Sequence, residues 1–235
     1  MIWLLKDFDL LSVLLRAATL ALEALTLGGV AFLLLAALPA RTAPETERRL
    51  RTVTAWAALA LAIAQVLSLS TSSAILIGGS GFSFRDVATA DFFFLGALLV
   101  VGALAVFFLM RALSRRALFA CIPFALFILL ASVGMSHAAA RLDHRWTLLA
   151  LTSLHHIGTA AWIGAMPFLL IALRREKDQV TAARYARRFS AMAIASVSLL
   201  VLGGVGMAFF YIGSWQGVYG TTYGFMMLAK IYLLL

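Results

Sequence analysis

The sequence predicts an all-α fold, a polytopic bundle of transmembrane helices. Three observations carry that prediction. The 235 residues are 63% hydrophobic and 12% charged, whereas a soluble domain is about a quarter charged. The apolar residues fall in runs of about twenty, the length that crosses ~30 Å of hydrocarbon. The basic residues gather between alternate runs. A β-barrel is disfavoured because barrel strands alternate in short segments and these runs do not.

Seven spans are expected in one transmembrane domain covering residues 1–235. They run over Leu10–Leu38, Val53–Ile75, Phe92–Met110, Leu118–Ala138, Trp146–Leu173, Ala191–Ile212, and from Tyr223 onward. The last stops after about a dozen residues, too few to cross. The expectation is therefore a C-terminally truncated chain, with eight or more spans in the complete protein.

Arg41, Arg48, Arg49 and Arg51 lie between the first two spans, and Arg111, Arg115 and Arg116 between the third and fourth. Arg174, Arg175, Lys177, Arg184, Arg187 and Arg188 lie between the fifth and sixth. Lys6, Arg85, Arg141 and Arg145 belong to the other side. The positive-inside rule places the three basic loops in the cytoplasm and the N-terminus outside. The net charge of +9 is thus a topology signal, and no nucleic-acid partner is expected. Trp3, Trp146 and Trp215 fall near the outer interface and Trp56 near the inner one, where indole rings prefer to sit. A cleaved signal peptide is not expected, because the first apolar run is too long and its basic flank follows it. The longest connection, Leu76–Asp91, is external and carries Gly78, Gly79 and Gly81. Gly28-Gly29 and Gly203-Gly204 read as points of close helix packing.

The single Cys121 excludes an internal disulfide and a Cys-x-x-Cys metal site. No phosphate-binding loop of the Gly-x-x-x-x-Gly-Lys-Ser/Thr type is present, so nothing suggests an ATP motor. No catalytic residues are assigned, and the chain is not read as an enzyme.

The chemistry concentrates in Gly134-Met135-Ser136-His137 and in Leu154-His155-His156 with Trp162-Ile163-Gly164. Apart from the connecting His144, these hold every histidine. A polar, metal-capable side chain in hydrocarbon is costly and marks a functional site by default. On an ideal helix His155, Trp162 and Met166 share one face, with His155 expected to point inward and His156 about 100° away. Met135 and His137 point to opposite sides of a regular helix, so one ion meets both only where the fourth span unwinds or ends. His155 lies about 14 Å below Trp146 along the axis, and Met166 roughly 16 Å beyond His155. These residues therefore read either as one site or as successive stations on a path. Imidazole and thioether donors favour a soft or borderline metal: Cu(I) suits Met with His, and zinc suits His but rarely Met. Three further charges lie within spans. Arg16 and Glu23 are seven apart on one face of the first span; Lys230, in the last, is a structural partner for a carboxylate such as Glu23 or part of a proton or ion path.

The run Met135-Ser136-His137-Ala138, then Leu154-His155 with Trp162-Ile163-Gly164, resembles the copper resistance D (CopD) family. So do Arg188-Phe189-Ser190 opening a span that contains Leu202-Gly203-Gly204-Val205, and Thr222-Tyr223-Gly224 with Lys230. The resemblance covers residues 134–235. It implies a multi-pass protein of the bacterial inner membrane that handles copper, as Cu(I) or Cu(II), beside a periplasmic copper-binding protein of the CopC type. On this chain the implied functional positions are His137 and His155, with Trp162, Tyr223 and Lys230 supporting them. The expected activity is movement of copper across the membrane without an ATPase of its own, through a His/Met site of Met135, His137, His155 and His156. Two alternatives are a b-type cytochrome, with haem held by His137 and His156, and an assembly factor for copper oxidases. A scaffold whose histidines only pack is the remaining reading.

Overall fold

The computed structural model describes residues 8–214 and 216–234, and for Phe8, Asp9, Tyr223, Lys230, Ile231, Leu233 and Leu234 the backbone only. Trp3, Lys6 and Trp215, placed near the outer interface or the outer side by the sequence reading, lie outside the described residues, as do the side chains of Tyr223 and Lys230.

Among the described residues the chain forms helices and no strand. Helix α1 (Phe8–Phe32) continues through a π-helical turn (Leu33–Ala37) into a last turn, Leu38–Ala40. Next come α2 (Pro44–Ser80), short α3 (Phe84–Ala88), α4 (Asp91–Arg111), α5 (Arg115–Gly134) and short α6 (His137–Ala140). Helix α7 (Arg145–Thr159) runs through a second π-helical turn (Ala160–Gly164) into α8 (Met166–Arg175). Then follow α9 (Gln179–Ile212), α10 (Gly217–Gly220) and α11 (Thr222–Leu234). Six of these units are long and apolar enough to cross a membrane. Helix α11, at 13 residues, is not.

Two helices are longer than their apolar runs. Helix α2 begins at Pro44, not Val53, because Pro44 suits a first helical turn and Glu45 and Glu47 complement the dipole there. Helix α9 begins at Gln179, not Ala191: the Asp178 carboxylate accepts from the N–H groups of Val180 and Thr181 and caps it. Hydropathy marks the membrane and not the helix, so the basic segment read as a loop is mostly helical. The external connection is also shorter than expected. Gly81 ends α2 with φ +71°, and a capping box between Ser83 and Asp86 starts α3.

Both π-helical turns contain the carbonyl four residues before a proline: Leu35 before Pro39, and Ile163 before Pro167. A proline lacks the N–H for that carbonyl and its ring clashes with it. Widening the helix by one residue relieves both problems. Pro123 sits inside α5 without such a turn.

Helix α1 is the hub. It packs against α2 on one side and the π-helical turn Ala160–Gly164 on another, and it also touches α5 and α8. Helices α2, α4 and α5 pack in series, and α9 lies along α7. Half of the apolar window of α1 is buried, against 17% for α9. The α1 crossing is backbone on backbone. A Cβ on Gly28 would strike the Gly164 carbonyl carbon, and one on Gly164 would strike the Ala24 carbonyl oxygen. Ala24 and Gly28, like Ala160 and Gly164, are spaced by four, the small-residue pattern that lets membrane helices approach closely. Helix α7 meets α9 similarly, with Gly203 against the Leu151 carbonyl and the His155 backbone.

At the basic end Arg51, 1% exposed, pairs with Glu47 at 2.7 Å and donates to the Ser114 carbonyl at 3.2 Å. This ties α2 to the start of α5. Trp56 and Trp146 are exposed, as interface-seeking indoles should be.

Gly164→Ala should lower the thermal unfolding midpoint in detergent by an amount equivalent to about 1–3 kcal/mol, the usual overpacking cost. Gly204→Ala should leave it unchanged or slightly raised, because its Cβ would meet only ordinary contacts, 3.9 and 4.0 Å from the His155 ring.

Candidate metal site in the bundle interior

Glu23 lies in the middle of α1 and is 4% exposed. Both carboxylate oxygens are engaged. Oε2 accepts from Ser132 Oγ of α5 at 2.6 Å, and Oε1 lies 3.0 Å from His156 Nδ1 of α7. One carboxylate therefore joins three helices. Glu23 is seventeen residues from Ala40 and Ser132 seventeen from Arg115, so the cluster sits about 25 Å from the basic end. His156, eleven residues into α7, lies about 16 Å from the opposite end. Arg16, expected to share a face with Glu23, is exposed, and the carboxylate turns instead to Ser132 and His156.

The α5 helix stops at Gly134 and not at Ala138. Ser136 Oγ donates to the Val133 carbonyl at 2.6 Å, satisfying a carbonyl the helix end leaves over. Met135 leaves the helix as its cap. It lies one turn beyond Ser132, and residues three apart on a helix are neighbours. The buried Gln65 of α2 reaches the Met135 sulfur, Nε2 to Sδ 3.8 Å. The carboxylate thus links α1, α5 and α7, and the Met135 thioether, three residues beyond Ser132 in the chain, faces Gln65 of α2.

The two adjacent histidines have different neighbours. His156, expected to point about 100° from the inward face, turns toward Glu23. His155, expected inward, lies against Gly203 and Gly204 of α9. Thr152, one turn above, donates to Met207 Sδ of α9 at 3.4 Å. Trp162 sits in the π-helical turn and packs on the core. The extra residue of that turn rotates the downstream helix by about 100° relative to a regular one. Met166 beyond it is 40% exposed, so the face expected to carry His155, Trp162 and Met166 is not continuous. His137 opens α6 and is exposed. His144 is exposed, with its ring 5.0 Å from Phe210.

Among the described residues no three His, Cys, Asp or Glu converge as a closed metal cage. Four residues of the interior went unnoticed in the sequence: Gln65, Ser132, Thr152 and Met207. Gln65 was findable, since an amide inside an apolar span is a functional signal by default. Ser132 and Thr152 were not, because a small hydroxyl in a span commonly bonds its own helix.

Residues 183–235 match the family model described as Copper resistance protein D. The Copper transport protein CutJ of Bacillus subtilis (strain 168) is 29% identical over 106 residues, which is 44% of this chain and 19% of that relative. No solved structure matches. The family match takes in Arg188-Phe189-Ser190, the Gly203-Gly204 pair, Thr222-Tyr223-Gly224 and Lys230, whereas the Met135–His137 and His155–Trp162 motifs precede it. Residues 183–235 are thus similar to the copper resistance D (CopD) family, in a chain with six helices long and apolar enough to cross a membrane.

Proposed function

We propose that this chain moves copper ions across the cytoplasmic membrane of a bacterium without an ATPase of its own. The observation that carries the reading is the Glu23–His156 contact. A metal-ligating histidine typically gives one ring N–H to a carboxylate, which fixes its tautomer and raises the basicity of the other nitrogen. With the proton on Nδ1 facing Glu23, His156 presents the Nε2 lone pair. The Met135 thioether, three residues beyond the Ser132 that bonds Glu23, would add a soft donor that favours Cu(I). An open, few-ligand arrangement suits an ion in transit better than one held permanently. The family match and the name of the Bacillus subtilis relative support copper as the cargo.

In this reading His137, at the exposed end, meets copper first, and Met135 with His156 forms the interior station. His155 is a neighbouring station facing α9, with Met207 close by, and Trp162 walls the route. Met166, half-exposed, lies outside it. Tyr223 and Lys230 keep supporting roles on the resemblance alone. A periplasmic copper-binding protein of the CopC type is the proposed donor or acceptor.

His156→Ala and Met135→Leu should each sharply reduce copper flux into proteoliposomes, while His144→Ala should not. Unchanged flux in the His156 variant would refute the route. A haem Soret band in the purified protein would point to the cytochrome instead.

Glu23→Gln should keep the fold and weaken Cu(I) affinity by roughly 10–100-fold, the usual effect of losing a partner behind the ligand, measured by chelator competition. Glu23→Ala should also lower thermal stability, by about 1–3 kcal/mol, because it strands the buried Ser132 hydroxyl and the part-buried His156 ring.

A further inference from the structure

A cleft of about 510 Å³ opens at the basic end of the bundle, lined by Pro39, Arg41, Arg184, Arg187 and Arg188. Its two walls are the exit of α1 and the first turns of α9. Arg41 is turned there by a left-handed backbone, φ 59°, directly after the last turn of α1. Arg184, Arg187 and Arg188 are three and four apart, which puts them on one helical face. Among the described residues no acidic one lines the cleft. Among the described residues none of its four arginines has a carboxylate within ion-pair distance. Arg184 exerts only a weak pull on Asp178.

Arg51 provides the contrast. It is buried at the same end, where it pairs with Glu47 and donates to the Ser114 carbonyl. The four cleft arginines are held together by two helices, and among the described residues none of them forms an ion pair. Like charges so gathered repel, and an anion between them removes that cost. Guanidinium groups bind phosphate oxygens in a paired, geometrically specific way.

We propose that this cleft is a binding site for a phosphate group, supplied by the headgroup of an anionic phospholipid of the inner leaflet. Two features favour a lipid over free phosphate. The cleft lies where the basic loops meet the membrane. Below it, exposed apolar side chains continue along both walls: Leu35, one turn from Pro39, and Ile194, two turns from Arg187 on the same face. Acyl chains would lie against these while the headgroup fills the cleft. Basic pockets between transmembrane helices at the cytoplasmic side bind such headgroups.

The test is lipid retention by the full chain, purified in mild detergent and analysed by native mass spectrometry after exposure to vesicles of phosphatidylglycerol and cardiolipin or of phosphatidylcholine. The triple variant Arg184→Gln/Arg187→Gln/Arg188→Gln is compared with a charge-matched control, Arg111→Gln/Arg115→Gln/Arg116→Gln. Each surface arginine contributes roughly 1 kcal/mol toward anionic lipid, about fivefold. Retention of anionic lipid should therefore fall at least tenfold in the first variant and much less in the control. A second arm titrates inorganic phosphate into protein in phosphatidylcholine nanodiscs and reads the thermal midpoint. A shift there that needs the cleft arginines, without lipid retention, would support the phosphate site and assign it to a soluble ligand. Equal loss in both variants, or no response in either arm, would overturn the proposal.

Discussion

A carboxylate in the middle of an apolar bundle constrains everything around it. Glu23 cannot sit in hydrocarbon with unmet hydrogen bonds, since each such group costs several kcal/mol there. It is met by Ser132 from α5 and His156 from α7, so these three helices must hold one relative height and rotation. Small residues make the arrangement possible. Because Ala24 directly follows Glu23 and Gly28 comes a little over a turn later, α1 approaches the turn Ala160–Gly164 backbone to backbone beside the carboxylate. That approach brings the end of α7 close enough for a histidine to reach across.

In the proposed role, the same arrangement would reconcile two needs of a copper path. An ion must lose its water to enter the interior, so ligands must wait there. Yet ligands that hold it too well stop it. A histidine oriented by a carboxylate, with a thioether nearby on a helix cap, binds through few atoms. The end of α5 at Gly134 leaves Met135 outside regular helix, where small changes of backbone reposition the sulfur. The π-helical turn at Ala160–Gly164 is a further irregularity in the same neighbourhood, of a kind often found at functional sites.

Much of this was legible in the sequence. The helical bundle, six of the seven expected spans and the basic end follow from hydropathy and charge, and the placing of the histidines singles out residues 134–164 as the candidate stretch. The resemblance over 134–235 met a family match over 183–235. What escaped has physical reasons. Helices extend beyond the membrane, so the starts of α2 and α9 could not be read from apolar runs. An ideal-helix projection put His155 inward, but which of two adjacent rings turns in depends on the neighbouring helices, Glu23 on one side and Gly203 on the other. Downstream, the regular period fails at a wide turn that Pro167 imposes. The prolines mark such turns in the sequence: Pro39 and Pro167 each lie just beyond a π-helical turn. Ser132 gained meaning only from a partner 109 positions away, which no local pattern contains.

The account turns on copper being held by His156 and Met135 together. X-ray absorption at the copper edge, on protein loaded with Cu(I), tests this most directly. The account predicts a mixed shell of imidazole nitrogen and thioether sulfur, with the sulfur lost in Met135→Leu and the nitrogen reduced in His156→Ala. A shell of nitrogen and oxygen alone, or one indifferent to both substitutions, would contradict it.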